Sequence, residues 1–138
     1  MLRVLIADDH EAVRKGVCSI LGSRKDLEVC GEAENGRDAI EKARELKPDV
    51  VILDITMPVL SGFEVAREIR KTMSVPILIL SMHESNQLIE EARKIGVQGY
   101  VTKTEAASTL LLAVDALLRK QDFFPDRSQR SEAVLRPA

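Results

Sequence analysis

The sequence predicts an α/β fold, an open doubly wound parallel sheet of five strands. Three observations carry that prediction. Short β-rich apolar runs recur at residues 2–7, 27–33, 50–53, 77–80 and 99–102. Three of them hold the continuous stretches Val4-Leu5-Ile6, Val50-Val51-Ile52-Leu53 and Ile77-Leu78-Ile79-Leu80, as strands covered on both faces do. Between the runs, apolar residues repeat at helical spacing. Five strand–helix units are too few for an eight-fold barrel, and right-handed crossovers leave few other arrangements.

Each helix is legible as a stripe. Val13, Val17, Ile20 and Leu21 mark the first, and Ala39, Ile40, Ala43 and Leu46 the second. Val65, Ala66 and Ile69 mark the third, and Leu88, Ile89, Ala92 and Ile95 the fourth. Leu110, Ala113, Val114, Leu117 and Leu118 mark the fifth, a stripe that suits a core face better than a coiled-coil seam, though its outer part offers a dimer surface. Asn35 before Gly36, and Asn86 after a polar stretch, read as helix starts. Pro48, Pro58 and Pro76 fall at strand entries and loops, where a missing N–H is tolerated. After residue 120 the pattern stops. Asp122-Phe123-Phe124-Pro125 is expected to pack against the last helix, and Arg127-Ser128-Gln129-Arg130-Ser131 reads as a solvated linker.

Composition narrows the function classes. Hydrophobic residues make up 45% of the 138 and charged residues 30%, which argues against disorder and for one domain. Twenty basic against 22 acidic residues give a net charge of −2, so a broad nucleic-acid-binding surface is not expected. Two cysteines, Cys18 and Cys30, make neither a disulfide framework nor a four-cysteine metal site and read as buried reduced thiols. No apolar run reaches the roughly 18 residues of a membrane span. The apolar N-terminus meets Asp8-Asp9 too soon for a signal peptide. A soluble cytoplasmic protein is expected.

Ligands of doubly wound sheets bind beyond the carboxyl ends of the strands, where the winding reverses. The residues following the first, third, fourth and fifth runs are Asp8-Asp9, Asp54, Ser81 and Lys103. If the first and third strands are neighbours, they lie about 4.8 Å apart. Two unit charges about 5 Å apart repel by roughly 3 kcal/mol at an effective dielectric near 20. A hard divalent cation suits such a carboxylate trio, and Mg²⁺ keeps waters that a phosphate can replace. Lys103 adds a mobile positive charge and Ser81 a hydroxyl donor. That set suits phosphoryl transfer to an aspartate.

Five pieces, in order and at strand ends, carry a family likeness: Val4-Leu5-Ile6-Ala7-Asp8-Asp9-His10, Val51-Ile52-Leu53-Asp54-Ile55-Thr56-Met57-Pro58, Ser61-Gly62, Ile79-Leu80-Ser81 and Gly99-Tyr100-Val101-Thr102-Lys103. The chain resembles the receiver domains of two-component response regulators. The resemblance implies a flavodoxin-like (βα)₅ sheet in the order 2-1-3-4-5, with residues 1–120 as receiver domain and 121–138 as a C-terminal extension or linker. It implies that Asp54 accepts phosphate from a sensor histidine kinase. It makes Asp9 a direct Mg²⁺ ligand and Asp8 a ligand mainly through water, beside Asp54 and the backbone carbonyl of Thr56. Lys103 would pair with the phosphate, Ser81 would swing to hydrogen-bond it, and Tyr100 would rotate inward in response. Thr56 and His83 would tune water access to the phosphate.

Receivers often carry proline after the lysine, with a cis bond. Here Thr104 follows Lys103, and a trans bond is expected because cis costs a non-proline residue about 3 kcal/mol. The stretch from Asp8 to Gly16 further resembles receivers joined to a LuxR-type helix-turn-helix output domain. That likeness implies transcription regulation, with DNA contacted only through an output domain this chain lacks, and a phosphorylation-dependent homodimer. The chain is either a fragment of a longer regulator or a stand-alone receiver. No membrane partner is expected, nor a multi-substrate enzyme, beyond slow hydrolysis of the chain's own phosphoaspartate.

Blander readings stand beside these. A lone Asp8 or Asp9 could cap a helix, and Tyr100, the only tyrosine, could simply pack. His10 and His83 read as exposed loop residues. Among rival classes, a haloacid-dehalogenase-type phosphatase wants a second acid two positions after its nucleophile, and Asp54-Ile55-Thr56 lacks it. A nucleotide or flavin module is disfavoured because neither glycine-rich phosphate motif occurs and aromatics are only 3%.

Overall fold

A computed structural model describes residues 1–125, and the reading of Arg127 to Ser131 as a linker lies outside them. Five strands alternate with five helices: β1 (Leu2–Ala7), α1 (Glu11–Gly22), β2 (Leu27–Ala33), α2 (Gly36–Leu46), β3 (Val50–Asp54), α3 (Gly62–Thr72), β4 (Ile77–Ser81), α4 (Asn86–Ile95), β5 (Gly99–Thr102) and α5 (Ala106–Leu118). The strands form one parallel sheet in the order β2-β1-β3-β4-β5. This is the flavodoxin-like architecture expected from the sequence.

The continuous apolar runs have a simple cause. Along each central strand, alternate residues serve opposite faces. Leu5, Val51, Leu53, Ile77 and Ile79 face a core closed by Ala39, Ile40 and Ala43 of α2, Val65, Ala66 and Ile69 of α3, and Ile89 and Ala92 of α4. Val4, Ile6, Val50, Ile52, Leu78 and Leu80 face the other core, closed by Val17 and Leu21 of α1 and Leu110, Ala113, Val114 and Leu117 of α5. Both faces are dry, so no position in β3 or β4 is exposed. The two cysteines are half-buried rather than fully buried and lie on opposite sides of the sheet, Cys30 against the first core and Cys18 against the second.

Helix starts follow local chemistry. The Asn35 side chain accepts the Asp38 N–H at 2.9 Å and caps α2. Ser61 and Glu64 form a reciprocal capping box on α3. At α4 the cap is Ser85 rather than Asn86, because the Ser85 hydroxyl accepts the Leu88 N–H and Asn86 is already the first helical residue. Strands β3 and β4 each run one residue beyond the apolar runs. Asp54 pairs with Leu80, and Ser81 with Thr102, so backbone pairing carries both polar residues inside the sheet. The Lys103–Thr104 peptide is trans, as expected.

Asp122-Phe123-Phe124-Pro125 reaches further than the last helix. Phe123 bridges to Gly99 on the β5 edge, accepting the Tyr100 N–H at 2.8 Å and donating to the Gln98 carbonyl at 2.9 Å. Phe123 joins the core that contains Leu117 of α5, and Phe124 the core on the opposite face. Among the described residues no helix is long and apolar enough to cross a membrane.

Two glycines test how tightly the frame is set. A Cβ at Gly62 would lie 2.1 Å from the Asp54 carbonyl oxygen, whereas one at Gly16, exposed in the middle of α1, would meet nothing within 4 Å. Gly62→Ala should therefore destabilise by about 3 kcal/mol, because backbone must move. Gly16→Ala should stabilise by about 0.5–1 kcal/mol through helix propensity. Chemical denaturation of the two variants checks both signs.

Candidate functional site

β1 and β3 pair with Ala7 opposite Leu53. The next residues therefore come side by side at the carboxyl ends of the two strands, Asp8 just past β1 and Asp54 as the last residue of β3. Asp8 is 1% exposed and Asp54 5%. Asp9 and His10, both exposed, complete a cluster whose candidate ligand atoms, one each from Asp8, Asp9, His10 and Asp54, all lie within 4.8 Å of one another. The Asp8 side chain accepts the His10 backbone N–H at 2.9 Å, which turns the chain into α1. His10 Nδ1 sits 3.3 Å from Asp8 and 3.1 Å from Asp9.

The counter-charge comes from the far edge of the sheet. Lys103 follows β5, and its Nζ lies 2.8 Å from Asp8 Oδ2 and 3.3 Å from Asp54 Oδ1. Burial pulls the Lys103 pKa down, but its contacts with Asp8 and Asp54 outweigh this and raise it above the ordinary lysine value. Asp54 is also shifted upward, first by burial and then by the Asp8 charge, against the opposing pull of Lys103 and of a hydrogen bond from the Thr56 backbone. One ammonium among three carboxylates leaves the rim with surplus negative charge. Hard oxygen donors with excess charge fit a divalent cation such as Mg²⁺.

Asp54 is held from behind. Gly62 donates its N–H to the Ile55 carbonyl at 2.7 Å, and the start of α3 presses directly on the end of β3. In the loop between them, Val59 has φ +75°, a left-handed conformation costly for a β-branched residue. Thr56 and His83 are both exposed. Ser81 is 3% exposed, and its Oγ accepts the His83 N–H at 3.1 Å. The Tyr100 hydroxyl donates to the His83 carbonyl at 2.5 Å, and its ring is fully buried. Tyr100 is thus packed inward, in the position the family likeness assigns to the responding state.

Asp8, Asp9, Asp54 and Lys103 thus converge directly. Ser81 and Tyr100 meet side chain to side chain and are also joined through the backbone of His83. Sequence reasoning undervalued His10, which is exposed yet touches both acids. It missed Arg14, which is buried on the core-facing side of α1, donates to the Asp8 carbonyl at 2.8 Å, and pairs with Glu32 and Glu34. The available signal was an arginine three residues before Val17 on the apolar stripe.

The sheet and its acidic rim define a flavodoxin-like module with its candidate site at the switch point between β1 and β3. Residues 4–115 match the family model described as response regulator receiver domain, and the chain belongs to that family. It is 42% identical over 115 residues to the transcriptional regulatory protein LnrK of Bacillus subtilis, covering 83% of this chain and 52% of that protein. It is 40% identical over 114 residues to the response regulator protein VraR of Staphylococcus epidermidis, covering 82% and 54%. The chain spans a little over half the length of the curated relatives it matches. Among solved structures, a LuxR-family two-component response regulator from Aurantimonas aligns with a TM-score of 0.87 at 34% identity, covering 96% of this chain and 97% of that one. The response regulator domain of Thermotoga maritima CheB aligns at 0.82 and 32%, covering 86% and 97%.

The raised Asp54 pKa has a stability consequence. A native pKa above the unfolded value means that ionised Asp54 costs native stability at neutral pH. That cost fades as pH falls through the native pKa towards the unfolded one. Asp54→Asn should melt at a higher temperature than wild type at neutral pH without divalent cations. The gap should close on acidification. Thermal melts across that range check the sign, and a less stable Asp54→Asn at neutral pH would contradict it.

Proposed function

We propose that this chain is the phosphoacceptor switch of a two-component system, taking phosphate from a sensor histidine kinase onto Asp54. The observation that carries the reading is Lys103 Nζ lying against Asp8 and Asp54 at once, beside Asp9. An Asp54 carboxylate oxygen attacks phosphorus as the bond to the kinase histidine breaks, and the electron pair of that bond returns to the imidazole nitrogen. Asp8, Asp9, Asp54 and the Thr56 carbonyl would hold Mg²⁺, which when bound offsets charge on the transferring phosphoryl group. Lys103 is positioned to exchange its contact with Asp54 for one with the phosphoryl oxygens. Burial of Asp54 and Asp8 strengthens every such charge contact.

Ser81 supplies the hydroxyl that donates to the phosphoryl group, and Tyr100 reads that event through His83. Thr56 and His83, exposed beside Asp54 and Ser81, set water access and so the rate at which the phosphoaspartate hydrolyses. The names of the relatives, and their greater length, support a longer regulator, in which residues 1–120 would be the receiver and 121–138 a C-terminal extension or linker, and which would be cytoplasmic. In such a protein DNA would be bound through an output domain, and phosphorylation would promote a homodimer.

Incubation with acetyl phosphate and Mg²⁺ should add one phosphate to wild type and none to Asp54→Asn, read by intact-protein mass spectrometry. Equal labelling of both would overturn the reading. Asp9→Ala should weaken Mg²⁺ binding by at least about tenfold in calorimetry. Unchanged affinity would remove Asp9 from the ligand set.

A further inference from the structure

The β5 edge would be open if the chain ended at α5. Instead the backbone of Phe123 pairs with it on both sides of Gly99, through the Tyr100 N–H and the Gln98 carbonyl. This is strand addition by the chain's own C-terminal segment. The two rings then straddle the sheet, Phe123 against one core and Phe124 against the other, the one that contains Tyr100. The Arg93 guanidinium of α4 lies 4.2 Å from the centre of the Phe124 ring and holds it from outside. Between segment and sheet remains a cavity of about 140 Å³, lined by Tyr100, Glu105, Thr109, Phe123, Phe124 and Pro125. A Tyr100 ring turned outward would enter this space and meet the segment.

We propose that Phe123–Phe124 is an intramolecular latch that holds Tyr100 inward, so that latch docking and phosphorylation of Asp54 favour the same state. The second half rests on the phosphoacceptor reading. The coupling route is a short hydrogen-bond chain. Tyr100 donates to the His83 carbonyl, and the His83 N–H donates to Ser81 Oγ. Ser81 Oγ also meets the Tyr100 hydroxyl directly, and on phosphorylation it would turn its proton to a phosphoryl oxygen on Asp54. Donating it makes Oγ a better acceptor, which strengthens rather than breaks the link to His83. Phosphate therefore tightens the inward Tyr100, and inward Tyr100 leaves room for the latch. Linkage then requires the reverse effect, with an undocked latch weakening the phosphorylated state.

Tyr100 is the only tyrosine and tryptophan is absent, so tyrosine fluorescence reports on this residue alone. In the full 138-residue chain, iodide and acrylamide should quench it poorly in wild type and several-fold better in the double variant Phe123→Ala/Phe124→Ala. Arg93→Gln removes only the exposed ring contact and should shift quenching in the same direction by less, which guards against a folding defect in the double variant. Unchanged quenching in both variants overturns the latch, whatever happens at Asp54. In the second arm, Mg²⁺ with beryllofluoride serves as phosphate mimic. Fluorine NMR reads its binding, with Asp54→Asn as the control that binds none. The double variant should bind the mimic about fivefold more weakly. Equal affinity with raised quenching overturns the coupling. Failure of wild type to bind the mimic overturns the phosphoacceptor reading and the coupling with it, while quenching still decides the latch.

Discussion

Parallel pairing of β1 with β3, with Ala7 opposite Leu53, is the constraint on which the site depends. Every other strand in the order follows as an addition to one side of this pair. The pairing delivers two consecutive carboxylates from one strand and one from its neighbour to a single rim. It also creates the winding reversal, since α1 covers one face and α2 and α3 the other. A crevice at that reversal is where an open α/β sheet has room for a ligand.

The fold tolerates the resulting repulsion through compensations that stop short of removing it. Lys103 reaches back from the end of β5 to touch Asp8 and Asp54. Arg14 ties down the Asp8 backbone from beneath, with its other nitrogens on Glu32 and Glu34. His10 sits beside both acids at the surface. The upward shift of the Asp54 pKa, driven by burial and by Asp8, shows that the balance still disfavours its charge. A site left short of positive charge suits a cation. Stability and receptivity are here the same electrostatic fact viewed from two sides.

Rigid contacts surround the rim, and one short link leads away from it. The start of α3 is fixed, since the N–H of Gly62 is spent on Ile55 and no space exists for a side chain. Arg70, half-buried and without a carboxylate partner among the described residues, donates to the carbonyls of Met73, Val75 and Gly96 and so staples the α3–β4 turn to the α4–β5 turn. Against this frame His83 stands out. It is exposed in its side chain, yet its two backbone groups join Ser81 to Tyr100. A segment beyond α5 closes the other side of Tyr100. The pocket and the sheet edge are thus separated by one tyrosine ring.

Much of this molecule was legible in one dimension. The strands, the helical stripes and the placement of Asp8, Asp9, Asp54, Ser81 and Lys103 at strand ends follow from periodicity, because a two-sided sheet and its covering helices impose distinct repeats on the chain. The helix cap at Asn35 is equally local, satisfied within three residues, whereas the caps at Ser61 and Ser85, just as local, were not read from the sequence. What only the tertiary structure decided is whatever depends on chain segments far apart in sequence. Strand order is one such thing, and the family likeness rather than periodicity supplied it. The place of Arg14 beneath Asp8, of His10 between two acids, and of Phe123 on the β5 edge are others. Backbone pairing uses the same N–H and C=O groups at every residue, so nothing in the side-chain pattern says which edge a segment will choose. Burial of a charged group is decided by what packs over it, and that surface is assembled from helices and strands that meet only in the folded chain.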